Sequence, residues 1–147
     1  MTAKGPPRTQ PCSAVQGRTR LEHARKFLDV ALLVAGEGGD GDLEYSSAAA
    51  ALAVLAGIAA SDAACCAALG RRARGQDHRQ ATELLEKITP GGRRAASSLR
   101  RLLNLKDEAH YGLFDVSGSD LQAALRQARA LVKFADQVTQ RTTGTRK

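Results

Sequence analysis

Apolar residues recur at helical spacing along most of this 147-residue chain, in runs separated by Gly- and Pro-bearing breaks. Thr19 to Glu22 has the S/T-x-x-E spacing of a capping box. Phe27, Val30, Ala31, Leu33 and Val34 then give a first helix its apolar side before Gly36. The segment GEGGDGD stops that helix, and a long second one is expected from about Asp42 to Leu69, ended by the loop GRRARG. Asp77 to Gln80 opens a short third helix carrying Ala81, Leu84, Leu85 and Ile88, and Thr89, Pro90, Gly91 and Gly92 end it. A fourth is expected from about Arg93 to Tyr111. The fifth is capped by Ser119 to Gln122 and carries the stripe Leu121, Leu125, Ala128, Val132, Ala135 and Val138. Five helices with short connections predict an antiparallel bundle.

Composition agrees with that pattern. Twenty-seven alanines and 3% aromatic residues, with no Trp, favour closely packed helices over a sheet, and the fold class is therefore all-α. The formal net charge of +7 points toward a nucleic-acid or acidic partner. Its placement changes that reading: Lys4, Arg8, Arg18, Arg20 and Arg141, Arg146, Lys147 hold the whole excess, and Leu21 to Gln140 is neutral. The expected organisation is a flexible Pro-rich tail over 1–17, a bundle over 18–140 and a flexible basic tail over 141–147.

Cys65 and Cys66 are helix neighbours pointing about 100° apart, so they cannot form an ordinary disulfide with each other. With Cys12 they are read as reduced thiols of a cytoplasmic protein, Cys65 and Cys66 serving as small core residues. The first residues lack the apolar stretch of a signal peptide. The uncharged run Tyr45 to Ser61 reads as a buried core helix, not a membrane span. No metal-ligand spacing, phosphate loop or nucleophile signature is present, so neither a metal nor a cofactor is expected.

Three ionisable residues fall on apolar faces. Lys106 and His110, four apart on the fourth helix, sit in the face of Leu99, Leu102, Leu103, Ala109 and Leu113. Asp62 centres the face of Leu55, Ala59, Cys66 and Leu69 on the second. A lone buried charge costs several kcal/mol, so Asp62 is expected to approach Lys106 or His110. The pair would be a polar network fixing helix register, unless Lys106 snorkels to solvent or the group forms an active site. In that last case Lys106, His110 and Asp62 are the candidate catalytic residues. Arg71, Arg72, His78, Arg101 and Tyr111 are the candidate binding residues, by phosphate contact and not by base stacking, for which aromatics are too few.

The stretch LKDEAHYG, with Lys106, Ala109, His110, Tyr111 and Gly112, followed by a short loop and the patterned last helix from Asp120, resembles the C-terminal half of a HEPN domain. Upstream, Leu69, Gly70, Gly75, His78, Leu84 and Leu85 fit the same family, and the likeness covers roughly Leu21 to Val138. The resemblance implies a prokaryotic helical bundle of toxin–antitoxin or RNA-cleaving defence systems, assembled as a homodimer. Its catalytic members resemble metal-independent ribonucleases built around an arginine, four to six intervening residues and then the histidine. Here Arg101 precedes His110 by nine positions, about 180° around the helix, and Lys106 is the nearby cation on the histidine's face. A lysine lacks the bidentate fork of arginine. The expected function is a non-catalytic binding module acting on RNA or on a protein such as a cognate antitoxin, with no membrane partner. A degenerate ribonuclease and a purely structural accessory module are the alternatives.

Overall fold

The computed structural model describes residues 9–38, 43–75, 78–111 and 115–144, without side chains over 37–38, 43–44, 107–111 and at 144. Five helices pack as a bundle: α1 Ala14–Gly38, α2 Leu43–Leu69, α3 His78–Glu86, α4 Gly92–Tyr111 and α5 Gly118–Gly144. A two-stranded antiparallel ribbon joins them, β1 Thr9–Pro11 on β2 Arg71–Ala73, with Gln10 opposite Arg72. The all-α bundle expected from the sequence is what forms.

Helix α2 lies at the centre, packed on α1, α4 and α5. Its run from Ala49 to Cys66 is buried around most of its circumference, which small side chains permit by letting neighbouring backbones come close. Tyr45–Leu69 is long and apolar enough to cross a bilayer, and two-thirds of its most apolar stretch is covered by the other helices. Leu85, Leu99, Leu102, Leu131 and Val138 complete the core around it. Antiparallel packing of α4 on α2 is fixed at two levels. Leu102 sits against Gly57, and beyond the end of α4 the Ser47 hydroxyl accepts from the Val116 amide at 2.8 Å.

Three boundaries differ from expectation. Helix α1 starts at Ala14 because Ser13 and Gln16 make the earlier capping box: Ser13 N–H donates to Gln16 Oε1 at 2.9 Å and Gln16 N–H to Ser13 Oγ at 3.1 Å. Thr19 instead lies inside the helix, bonding back to the Val15 carbonyl. The segment expected to be flexible is therefore ordered from Thr9 onward, as β1 and the first turn of α1. Helix α5 starts before its expected cap, Ser117 Oγ accepting from the Asp120 amide at 3.1 Å, and it runs on to Gly144, into the expected basic tail. The capping box expected at Asp77 lies outside the described residues.

The α3–α4 junction turns through Gly91, whose φ of +96° suits a residue without a side chain. Gly92 follows, and a Cβ there would overlap the Leu85 carbonyl oxygen of α3. Backbone cannot rotate away as a side chain can, so Gly92→Ala is expected to cost about 2 kcal/mol, more than the helix propensity it gains. A urea midpoint equal to wild type would show that the two helices can separate there freely.

Candidate functional site

The two ends of the ribbon, the start of α1, the last turns of α2 and the start of α3 meet at one end of the bundle. The α1–α2 hairpin sets the pairing. Gly17 lies against α2, where an added Cβ would stand 2.9 Å from Cys66 Cβ, so residues one turn further along α1 face Asp62. Arg20 Nη2 donates to Asp62 Oδ2 at 3.0 Å. The Asp62 side chain is 10% exposed and that of Arg20 31%, so a buried carboxylate is capped by a guanidinium reaching in from the surface.

Burial raises the Asp62 carboxyl above its ordinary value of 3.8, and it outweighs the opposing charges of Arg20, Arg72 and His78. The same burial, with the Asp62 charge behind it, pushes the neighbouring Cys65 thiol up to about 12. Cys65 is therefore held as the protonated thiol near neutral pH.

Sequence reasoning placed the partner of Asp62 on the wrong helix. With Leu102 level with Gly57 and α4 running antiparallel, Lys106 and Asp62 diverge from that level in opposite directions, nine residues or about 13 Å of helix rise apart. Arg20 satisfies Asp62 instead, and Lys106 is half-buried elsewhere on α4. His110 and Tyr111 lie outside the described side chains. Arg101 is exposed on α4, away from the ribbon, next to Arg100, which pairs with Glu86. The remaining candidates converge: Arg72 and His78 both act on Asp62, and Arg71 is the ribbon neighbour of Arg72.

The cysteine reading is corrected as well. Cys12 and Cys66 form a disulfide across a separation of 54 residues, their Cα atoms 5.0 Å apart, and Cys65 alone is a free, buried thiol. The bond ties the β1–α1 junction to the last turn of α2, and the Cys12 amide donates to the Gly70 carbonyl at 2.9 Å beside it.

Strand β1 supplies acceptors to the arginines of β2. Arg71 Nε donates to Thr9 Oγ1 at 2.8 Å and Arg71 Nη2 to the Thr9 carbonyl at 3.1 Å. Gln10, with its amide oxygen turned to the guanidinium, accepts from Arg72 Nε at 3.2 Å. A cleft of about 480 Å³ opens alongside, lined by Gln10, Cys12, Gln16, Thr19, Arg20 and Arg72 among others. Its donors suit an anionic oxygen, and guanidinium groups, always charged, bind without transferring protons. Among the described residues no group of three or more His, Cys, Asp or Glu converges as a metal site.

Arg20, Gln10 and the disulfide were missed in the sequence. A usable signal existed for Arg20: two antiparallel helices broken by the Gly-rich sequence around residue 40 pair positions that sum to about 81, which sets residue 62 beside 19 or 20. Family models, curated proteins and solved structures, each compared with this chain, give no match.

Proposed function

We propose that this chain is a non-catalytic, HEPN-like binding module that holds RNA by its phosphate backbone at the ribbon end of the bundle. One observation carries the reading. Residues 9–20, 70–75 and 78–79, which the fold brings together, hold Arg18, Arg20, Arg71, Arg72, Arg74 and Arg79 and no acid, and the buried Asp62 of α2 meets them through Arg20. Positive charge is thus gathered at the ribbon end of the bundle, although residues 21–140 sum to zero.

Arg71, Arg74 and Arg79 are exposed, as phosphate contact requires, and Arg72 is half-buried at the cleft. Catalysis by Asp62 and Lys106 forms no part of this reading, because the carboxylate is engaged by Arg20 at another level of the bundle. Binding of this kind is electrostatic and falls with salt.

The test is fluorescence anisotropy with a labelled 12-nucleotide single-stranded RNA between 50 and 200 mM salt. The variant Arg71→Glu/Arg72→Glu/Arg74→Glu is expected to bind at least about tenfold more weakly and to flatten the log–log salt dependence by about 2, some 0.7 for each phosphate that is no longer neutralised. Wild-type protein that leaves the RNA free at 50 mM salt, oxidised and reduced alike, would refute the reading.

A further inference from the structure

We propose that the Cys12–Cys66 disulfide is a redox latch that holds strand β1 across Arg71 and Arg72, so that its reduction releases these guanidinium groups to phosphate. The inference rests on the RNA-binding reading above and adds its regulation.

Strand β1 has little else to hold it. It is three residues long, one of them Pro11, which has no amide hydrogen to give to the ladder, and two-stranded ribbons are marginal in water. The disulfide supplies what the ladder lacks, fixing Cys12 to the last turn of α2 next to the Cys12–Gly70 hydrogen bond. In that position Thr9 and Gln10 occupy the donors that a phosphate would use. Arg71 spends Nε and Nη2 on Thr9, and Arg72 turns Nε to Gln10. The strand stands in for the ligand on both arginines.

The chemistry needs a two-electron dithiol reductant. One of its thiolates attacks Sγ of Cys12, which at 6% exposure lines the cleft, whereas Cys66 lies against Gly17 beneath α1. The Cys12–Cys66 bond breaks and Cys66 leaves as a thiolate that takes up a proton. The second thiol of the reductant then attacks the mixed disulfide, Cys12 departs as a thiol, and the reductant is left as a disulfide. Cys65, buried and held protonated, does not compete for either sulfur.

Two measurements on the full chain, oxidised and dithiothreitol-reduced, test the latch. Hydrogen exchange reports the strand without any ligand: the amides of Thr9, Gln10, Cys12 and 71–73 are expected to exchange at least about tenfold faster after reduction, with helix content by circular dichroism unchanged. Anisotropy with the same 12-nucleotide RNA is expected to show at least about fivefold tighter binding by reduced protein and by Cys12→Ser, and no change in Cys65→Ser. Thr9→Ala/Gln10→Ala keeps the disulfide but removes the competing side chains. It is expected to bind more tightly while still oxidised, which keeps the test open should the reduced chain lose structure. Unchanged exchange at Thr9, Gln10 and Cys12 on reduction overturns the latch whatever the RNA does. Faster exchange with equal or weaker RNA binding overturns the inhibitory role of the strand. Faster exchange with no RNA binding in either state refutes the RNA reading itself, and the inhibitory role falls with it.

Discussion

Reduced protein is expected to be less stable than oxidised protein by about 4 kcal/mol, read as a drop of roughly 2 M in the urea midpoint. The figure follows from the 54-residue separation of Cys12 and Cys66, which encloses all of α1 and nearly all of α2. Opening that loop gives the unfolded chain the configurations the crosslink had removed, and the folded chain keeps its helical packing. Loss in the folded state is local, because the core of α2 is built from Ala49 to Cys65 and does not depend on the bond. Cys12→Ser and Cys66→Ser are expected to match the reduced protein, whereas Cys65→Ser, which keeps both sulfurs of the crosslink, is expected to respond to reduction as wild type does. A midpoint shift under about 0.5 M on reduction would mean that the crosslink is not formed in most folded molecules.

The helices were legible in the sequence because their signals are local. Periodic leucines and alanines, Gly-rich breaks and polar caps decide where α3, α4 and α5 lie, and the observed limits fall within a few residues of the expected ones. The start of α1 was placed by Thr19–Glu22, and Ser13–Gln16, which carries a matching spacing six residues earlier, went unread and is the box that forms. Strand β1 has no such signal. Thr-Gln-Pro is too short to alternate, and its partner lies across two helices.

The site was legible in kind and not in partner. A carboxylate on the buried face of α2 requires a cation, and it has one. Looking to Lys106 or His110 and not to Arg20 neglected the hairpin register, which the Gly-rich break between the first two helices already implied. The disulfide escaped for a related reason. Spacing rules excluded Cys65 with Cys66 and were silent on Cys12, whose proximity to Cys66 is a tertiary fact.

Arg20→Leu is the sharper probe of that buried pair. It strands the Asp62 carboxylate, 10% exposed, without a counter-charge, and a loss of about 3 kcal/mol is expected at pH 7, near the lower end for broken buried pairs because Arg20 is itself partly in water. The pH dependence identifies the cause. Asp62 holds its proton more tightly in the folded chain than at its ordinary value of 3.8, so stability owed to this group falls as pH rises from about 3.8 through the raised value, and the penalty is complete above it. Removing Arg20 deletes the largest influence that lowers this carboxyl, which moves the upper edge of the window to higher pH. The deficit of Arg20→Leu against wild type is therefore expected to shrink on acidification, as a protonated and neutral Asp62 needs no partner. Arg20→Leu/Asp62→Leu, which buries two apolar side chains in place of the ions, is expected to return to within about 1 kcal/mol of wild type. A deficit that is the same at pH 7 and pH 4.5, or a double variant as weak as the single, would mean that Arg20 acts through the packing of its methylene stem and not through its charge.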